Sequence, residues 1–281
     1  MSDNTAINEI LAGLEAGQVV PYLGTGIWAA ATTPPAHPVD HLQLVAKLTE
    51  RITVSHKLRK NLTGAAQYIE NFKHRKTLTG LMNTAFQAHT TPSELHEFIA
   101  SLHKLPLVVD AWYDDAMQQA LAQHPDWGQV QGLSQAEHYG EWVRYYTAKG
   151  ELTDAETAKK WQTLLYRPLG SANPAQNYIV SDSDYVEILT EIDIQTPIPP
   201  LVQQRRLGKN FLFLGCRFGY QLDRIFARQI MKRSSFQHWA LIEGELTKNE
   251  VRFLKEMNIT RLDMPLSALI EALPKRQPEL I

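Results

Sequence analysis

The sequence predicts an α/β fold, a parallel sheet with helices on both faces, and three observations carry that expectation. The last third alternates strand-like and helix-like segments at regular spacing. Near the start an apolar run, Val19-Val20-Pro21-Tyr22-Leu23, stops at Gly24-Thr25-Gly26, as a buried strand does on entering a tight turn. Between that turn and Leu105 the pattern is helical, so residues 31–104 are expected as a helical insertion over the sheet. The sheet core is then 1–30 with 105–281.

In order, residues 4–16 place Ile7, Ile10, Leu11 and Leu14 on one helical face, with Gly17 as a stop. Ala29–Pro38 is rich in Ala, Thr and Pro and reads as a loop. From His41 to Lys104, apolar residues recur at spacings of three and four, and the Lys and Arg residues between 57 and 76 read as a solvated face. LPLVVD at 105–110 returns to strand, followed by a helix over 111–122. Strands are expected at 141–147, 161–166 and 177–181, and only loop chemistry at 128–140. Ser181 to Asp184 cap a helix. Strands at 210–215, 238–244 and ITRLDM then alternate with helices at 220–231, 247–257 and PLSALIEAL. Of these, the second opens on the capping box Thr247 to Glu250 and the third on Pro265.

At 281 residues the chain makes one large domain or two small ones. A hydrophobic content of 44% with 21% charged residues is that of an ordinary globular protein. The net charge of −2 offers no electrostatic case for nucleic acid or an anionic membrane. One cysteine, Cys216, excludes an intramolecular disulfide framework and an all-cysteine zinc cluster. The acidic, amphipathic start is not a secretory signal, and no apolar run approaches bilayer length, so a cytoplasmic setting is expected. No His, Cys or acidic cluster has metal-ligand spacing, so no metal is expected.

A glycine turn at a strand end can receive a phosphate, because no Cβ blocks the approach. It equally ends many strands that bind nothing, and Gly-x-Gly lacks the third glycine of a dinucleotide fingerprint. Four stretches in this order, however, resemble the bacterial sirtuin-like domain family, relatives of the NAD-consuming sirtuins. VVPYLGTGIW is similar to the family's strand and Gly-Ala-Gly turn. LPLVVDAWYDDAMQQAL looks like its strand ending in Thr-Thr-Asn-Tyr-Asp. YRPLGSANPAQNYIVSDSDYVEIL is similar to its Lys-Leu-His-Gly-Ser segment, and FLFLGCRFGYQLDRIFARQI to its Leu-Gly-Tyr-Ser strand-turn-helix. HWALIEGELTKNEVRFLKEMNITRLDMPLSALIEAL continues the family's closing β-α-β-α pattern.

The resemblance implies a Rossmann-like sheet holding NAD or ADP-ribose. It assigns cofactor contacts to Gly24, Thr25, Gly26, Ile27, Trp28, Trp112, Tyr113, Asp114, Gly215, Cys216, Arg217 and Glu243. It also implies cleavage of the nicotinamide–ribose bond by an Asn that orients the nucleophile and a His that acts as base. Here Trp112 stands at the Asn position and Leu169 at the His position. An indole offers one donor and no acceptor, and Leu cannot move a proton. No catalytic residue is therefore assigned, and a pocket that binds without hydrolysing is expected.

Asp110 and Asp115 read as helix N-terminal acids, and Asp114 as a pocket residue by the resemblance. His96, His103 and His138 are candidates for a substitute base, with surface or core packing favoured for each. Cys216 reads as a buried structural thiol, and Arg217 equally as a phosphate contact or a surface cation. Three functions stay open: a nucleotide-binding sensor, a nicotinamide-releasing hydrolase or deacylase using other residues, and a structural subunit. For the last, the helical insertion and the aromatic-rich 139–146 stretch would face a protein partner or a second copy.

Overall fold

The computed structural model describes residues 3–191 and 198–273. Helix α1 (Asp3–Glu15) leads into β1 (Val19–Leu23) and a 3-10 turn at Thr25–Ala30. Four helices follow before the next strand: α2 (His41–Leu48), α3 (Leu62–Lys73), α4 (Arg75–Ala85) and α5 (Glu94–Ala100). Then come β2 (Leu107–Asp110), α6 (Ala116–Leu121), β3 (Trp127–Gly132), β4 (Val143–Thr147), β5 (Leu152–Thr153), α7 (Ala155–Ala158) and β6 (Thr163–Arg167). A small ribbon, β7 (Gly170–Ser171) with β8 (Asn177–Tyr178), precedes α8 (Asp182–Glu191). The chain closes through α9 (Pro200–Arg205), β9 (Asn210–Leu214), α10 (Gln221–Met231), β10 (His238–Leu241), α11 (Lys248–Glu256), β11 (Ile259–Leu262) and α12 (Leu266–Ala272).

Among the described residues nine strands form one sheet in the order β11-β10-β9-β1-β2-β6-β3-β4-β5. β1 pairs in parallel with β2 and β9, which puts Val19–Leu23 inside the sheet beside Leu107–Asp110 and Asn210–Leu214, as expected. Pairing is parallel from β11 across to β3, and β4 and β5 complete that edge antiparallel. The expected parallel α/β architecture thus carries an antiparallel margin formed by β4 and β5.

Side chains alternate between two cores, as strand geometry requires. On the front face Val20, Tyr22, Val109, Tyr166 and Phe213 pack beneath α2, α3, α4 and α10. On the rear face Val19, Leu23, Val108, Leu165 and Leu214 pack against α1, α5, α6 and α12. Arg75, at the start of α4, ties that helix to α3, to α8 and to the β7-β8 ribbon. Its guanidinium donates to Asp184 (2.8 Å), Glu70 (3.2 Å), Glu137 (3.2 Å) and the Tyr178 carbonyl (2.5 Å).

One element departs from the sequence expectation outright. The stretch expected as loop from 128 begins instead with β3, all of it buried between β6 and β4. Its sequence, WGQVQG, lacks strand propensity, and pairing on both sides imposes the conformation. The Trp161 ring lies over Gly128, where a Cβ would stand 2.4 Å away. Trp161 is therefore outside the strand it was expected to open, and β6 starts at Thr163. The strand expected at 177–181 is only the two residues of β8.

Candidate functional site

Strand order reverses around β1, because β2 lies on one side and β9, much later in the chain, on the other. In open α/β sheets a ligand crevice forms at the C-terminal ends of such strands. A cavity of about 50 Å³ lies there, and the two turns that end β1 and β9 supply Gly24, Thr25, Gly215, Cys216 and Arg217 to it. Tyr22, Leu169, Tyr185, Phe218 and Phe226 give it aromatic and aliphatic walls, and His41 and Asp223 also line it. Pockets that enclose a drug-sized ligand run to several hundred Å³. A whole dinucleotide therefore requires this cleft to open.

The two turns interlock through their backbones. Gly24 N–H donates to the Leu214 carbonyl (2.9 Å), Gly26 N–H to the Gly215 carbonyl (2.8 Å), and Ile27 N–H back to Gly24 (3.2 Å). Gly215 holds φ +66°, and a Cβ on it would sit 2.1 Å from the Ile27 nitrogen. The glycines are thus explained by strand-end packing alone, and these three donors are spent on it rather than aimed at a phosphate.

The other residues of the β9 turn are also engaged. The Cys216 thiol is buried against the Tyr22 and Leu214 carbonyls (3.6 and 3.7 Å). Burial, with Asp223 nearby, pushes its pKa well up, so it is an inert thiol. Arg217 grips the Glu250 carboxylate (2.8 Å) and the carbonyls of Glu243 and Glu245 (3.2 and 2.9 Å). Glu250 is itself the capping-box acid of α11, so the guanidinium holds α11 against the turn. The Glu243 side chain is exposed beyond β10.

Trp112 is buried, with its indole N–H on the Pro38 carbonyl (2.9 Å) and its ring against Phe86, Tyr113 and His41. It pins the loop that follows the glycine turn. Tyr113 donates its hydroxyl to the Ile179 carbonyl (2.8 Å). Leu169 is buried on the front core and lines the cavity, opposite no proton-transferring group of its own segment. His41, in the first turn of α2, bridges by ring contact from Trp112 (5.6 Å) to Tyr220 (5.0 Å), the residue before α10. Burial lowers the His41 pKa, against a weaker opposing pull from Asp40, so its imidazole is neutral at pH 7.

The acids after β2 lie on the rear face. Asp114 accepts from Ala116 N–H (2.9 Å) and from the Trp28 indole (3.3 Å), with His37 at 3.7 Å. Asp115 accepts from Thr90 N–H (2.9 Å), His89 (2.7 Å), Gln119 (3.0 Å) and Asn173 (3.1 Å). Burial would raise its pKa, but those bonds hold it below the ordinary carboxylate value. Asp110 faces the fully buried Arg167 at 3.5 Å, and Arg167 also donates to the carbonyls of Trp112 (3.0 Å) and Asp114. Burial pushes the Asp110 carboxyl up, against the pull of Arg167. His96, buried in the α5 capping box, is lowered to about 4 by that burial. Ile27 and Trp28 are buried in the rear core.

The structure therefore brings Gly24, Thr25, Gly215, Cys216 and Arg217 to one cavity, with Gly26 behind the turn. It places Ile27, Trp28 and Asp114 on the opposite face, Trp112 and Tyr113 in the packing beside the cleft, and Glu243 at its periphery. His96, His103 and His138 do not line the cavity. Asp223 does, and sequence reasoning missed it. The available signal was an acid in the first turn of a helix directly after a strand-ending Leu-Gly turn. Tyr185 and His41, brought in by α8 and α2, gave no local signal. Among the described residues no group of His, Cys, Asp and Glu could hold a metal ion.

No curated protein matches this chain. The model of the SIR2-like domain matches residues 106–262, which run from β2 through β11. That segment carries the strand ends after β2 and β9, the ribbon after β6 and the closing β-α units described above. The chain belongs to the SIR2-like domain family.

Proposed function

We propose that this SIR2-like domain holds NAD or ADP-ribose at the C-terminal ends of β1, β2 and β9 and hydrolyses neither efficiently. The observation that carries this reading is the fate of the two positions where the resemblance expects Asn and His. Trp112 is buried and committed to Pro38, and Leu169 is a cavity wall with no proton to give or take. Binding would be paid for by opening the cleft, and the affinity lowered by the fraction of molecules that are closed. The sheet core is proposed as 1–30 with 105–281 and the helical module as 31–104. No helix of the described residues is long and apolar enough to cross a membrane; the cytoplasmic setting is proposed from the sequence alone.

A second reading, a nicotinamide-releasing hydrolase, is favoured by one observation: Asp223 puts a carboxyl in the cavity. Burial holds that carboxyl up to about 7, Arg224 opposing, which is the range of a working general base. Calorimetric titration with NAD and ADP-ribose, with nicotinamide release followed on the same samples, separates the two. Binding without release supports the first reading; release that Asp223→Asn abolishes supports the second.

A further inference from the structure

Asp223 stands in the first turn of α10 and lines the cavity, yet among the described residues its carboxylate has no hydrogen-bond or ion-pair partner. Arg217 is paired with the Glu250 carboxylate and donates to two carbonyls, and Arg224, which is not among the residues lining the cavity, donates to the carbonyls of Phe218 (2.6 Å) and Gly219 (2.8 Å). His41 is neutral, and the Cys216 thiol and the Tyr22 and Tyr185 hydroxyls are all held protonated by burial. Among the described residues that line the cleft there is therefore an unpaired acceptor, Asp223, and the lining cation, Arg217, already has a carboxylate partner.

That charge pattern selects among parts of a nucleotide. A phosphate entering this cavity would meet the like charge of the half-buried Asp223 carboxylate and be repelled. A ribose brings two adjacent hydroxyl donors, which match the two oxygens of one carboxylate, as acids at strand ends hold ribose in dinucleotide folds. The aromatic and aliphatic side chains of the lining suit the face of a sugar or base, which enters, like any ligand of that size, only as the cleft opens.

We propose that Asp223 is the acceptor for the paired hydroxyls of a ribose, and that the ligand's phosphates stay outside this cavity. This rests on the nucleotide reading of the cleft. The test is calorimetric titration at pH 8 of wild type and Asp223→Asn with ADP-ribose, adenosine, 2′,3′-dideoxyadenosine and nicotinamide. Because the change is isosteric and removes a half-buried charge without an ion-pair partner, the variant is expected to keep or raise its Tm, which serves as the folding control. Loss of a doubly accepting carboxylate should weaken ADP-ribose and adenosine by about 10- to 100-fold. Dideoxyadenosine should bind wild type no better than adenosine binds the variant. Unchanged affinities in the variant would overturn the role of Asp223 and leave the nucleotide reading standing. Adenosine binding that depends on Asp223, with no binding of ADP-ribose, would support the role and overturn the nucleotide reading. Failure of adenosine and ADP-ribose alike to bind wild type, or binding of nicotinamide that depends on Asp223, would overturn the proposal.

Discussion

The front and rear faces of the sheet, compared where β1, β2 and β9 end, differ in a way that inverts the expectation from residue type. The rear holds Asp110, Asp114, Asp115, Arg167, His37 and His96, a set that by composition resembles an active site. The acids there are tied to backbone groups or to Arg167, and His96 to its helix cap, while Nε and Nη1 of Arg167 and Nε2 of His37 are buried without a hydrogen-bond partner among the described residues. The front holds aromatic and aliphatic walls around a small cavity, and among the described residues that line it Asp223 is an acid without a hydrogen-bond or ion-pair partner. An unpaired ionisable group marks a ligand site when it faces a cavity, not when it is one of many packed into a core.

The most direct way to break this comparison is to disturb the rear cluster. Arg167→Ala should cost about 3–5 kcal/mol of stability, since it strands Asp110 in a buried setting. Equilibrium unfolding in urea checks the cost, and the double change Asp110→Asn with Arg167→Met should recover part of it. A stable Arg167→Ala protein that has lost ADP-ribose binding would move the site to the rear face.

The next effect is one of pH. His96 has a folded pKa of about 4, below its ordinary 6.5, so the unfolded chain binds the proton more tightly. Stability is therefore full above 6.5 and is lost as the pH falls towards 4, by something on the order of 3 kcal/mol. His96→Gln should flatten that acid limb in a series of unfolding curves. An unchanged limb would show that other groups carry it.

The fold was largely legible because its determinants are local. The Thr247 to Glu250 capping box forms as written, and the buried run Val19–Leu23 is a strand with the expected neighbours. β3 was not legible, since Gly128, Gln129 and Gln131 have no strand preference and only β6 and β4 make them one. The site was half legible. The turns at Gly24 and Gly215 could be read, but not that their donors face each other, since the two meet only in the folded sheet. Which of several acids remains unpaired is likewise a tertiary fact, so Asp114 stood out in sequence and Asp223 did not.

On the front face, Leu169→Ala should cost about 2–3 kcal/mol while enlarging the cavity. Its thermal midpoint should fall while its affinity for ADP-ribose stays level or improves; a loss of affinity without loss of stability would make Leu169 a ligand contact. The smallest effect concerns Cys216. Its thiol should resist iodoacetamide at pH 8 in the native protein and react once the chain is unfolded, whereas rapid native labelling would contradict its burial.

The central claim is a cleft that binds nucleotide and has lost the cleavage step. Its most direct test is titration of the wild-type protein with ADP-ribose and NAD, with nicotinamide release measured in the same vessel. The account predicts heat of binding for ADP-ribose and no release from NAD above the uncatalysed rate. Steady release of nicotinamide would contradict it, whatever the affinity.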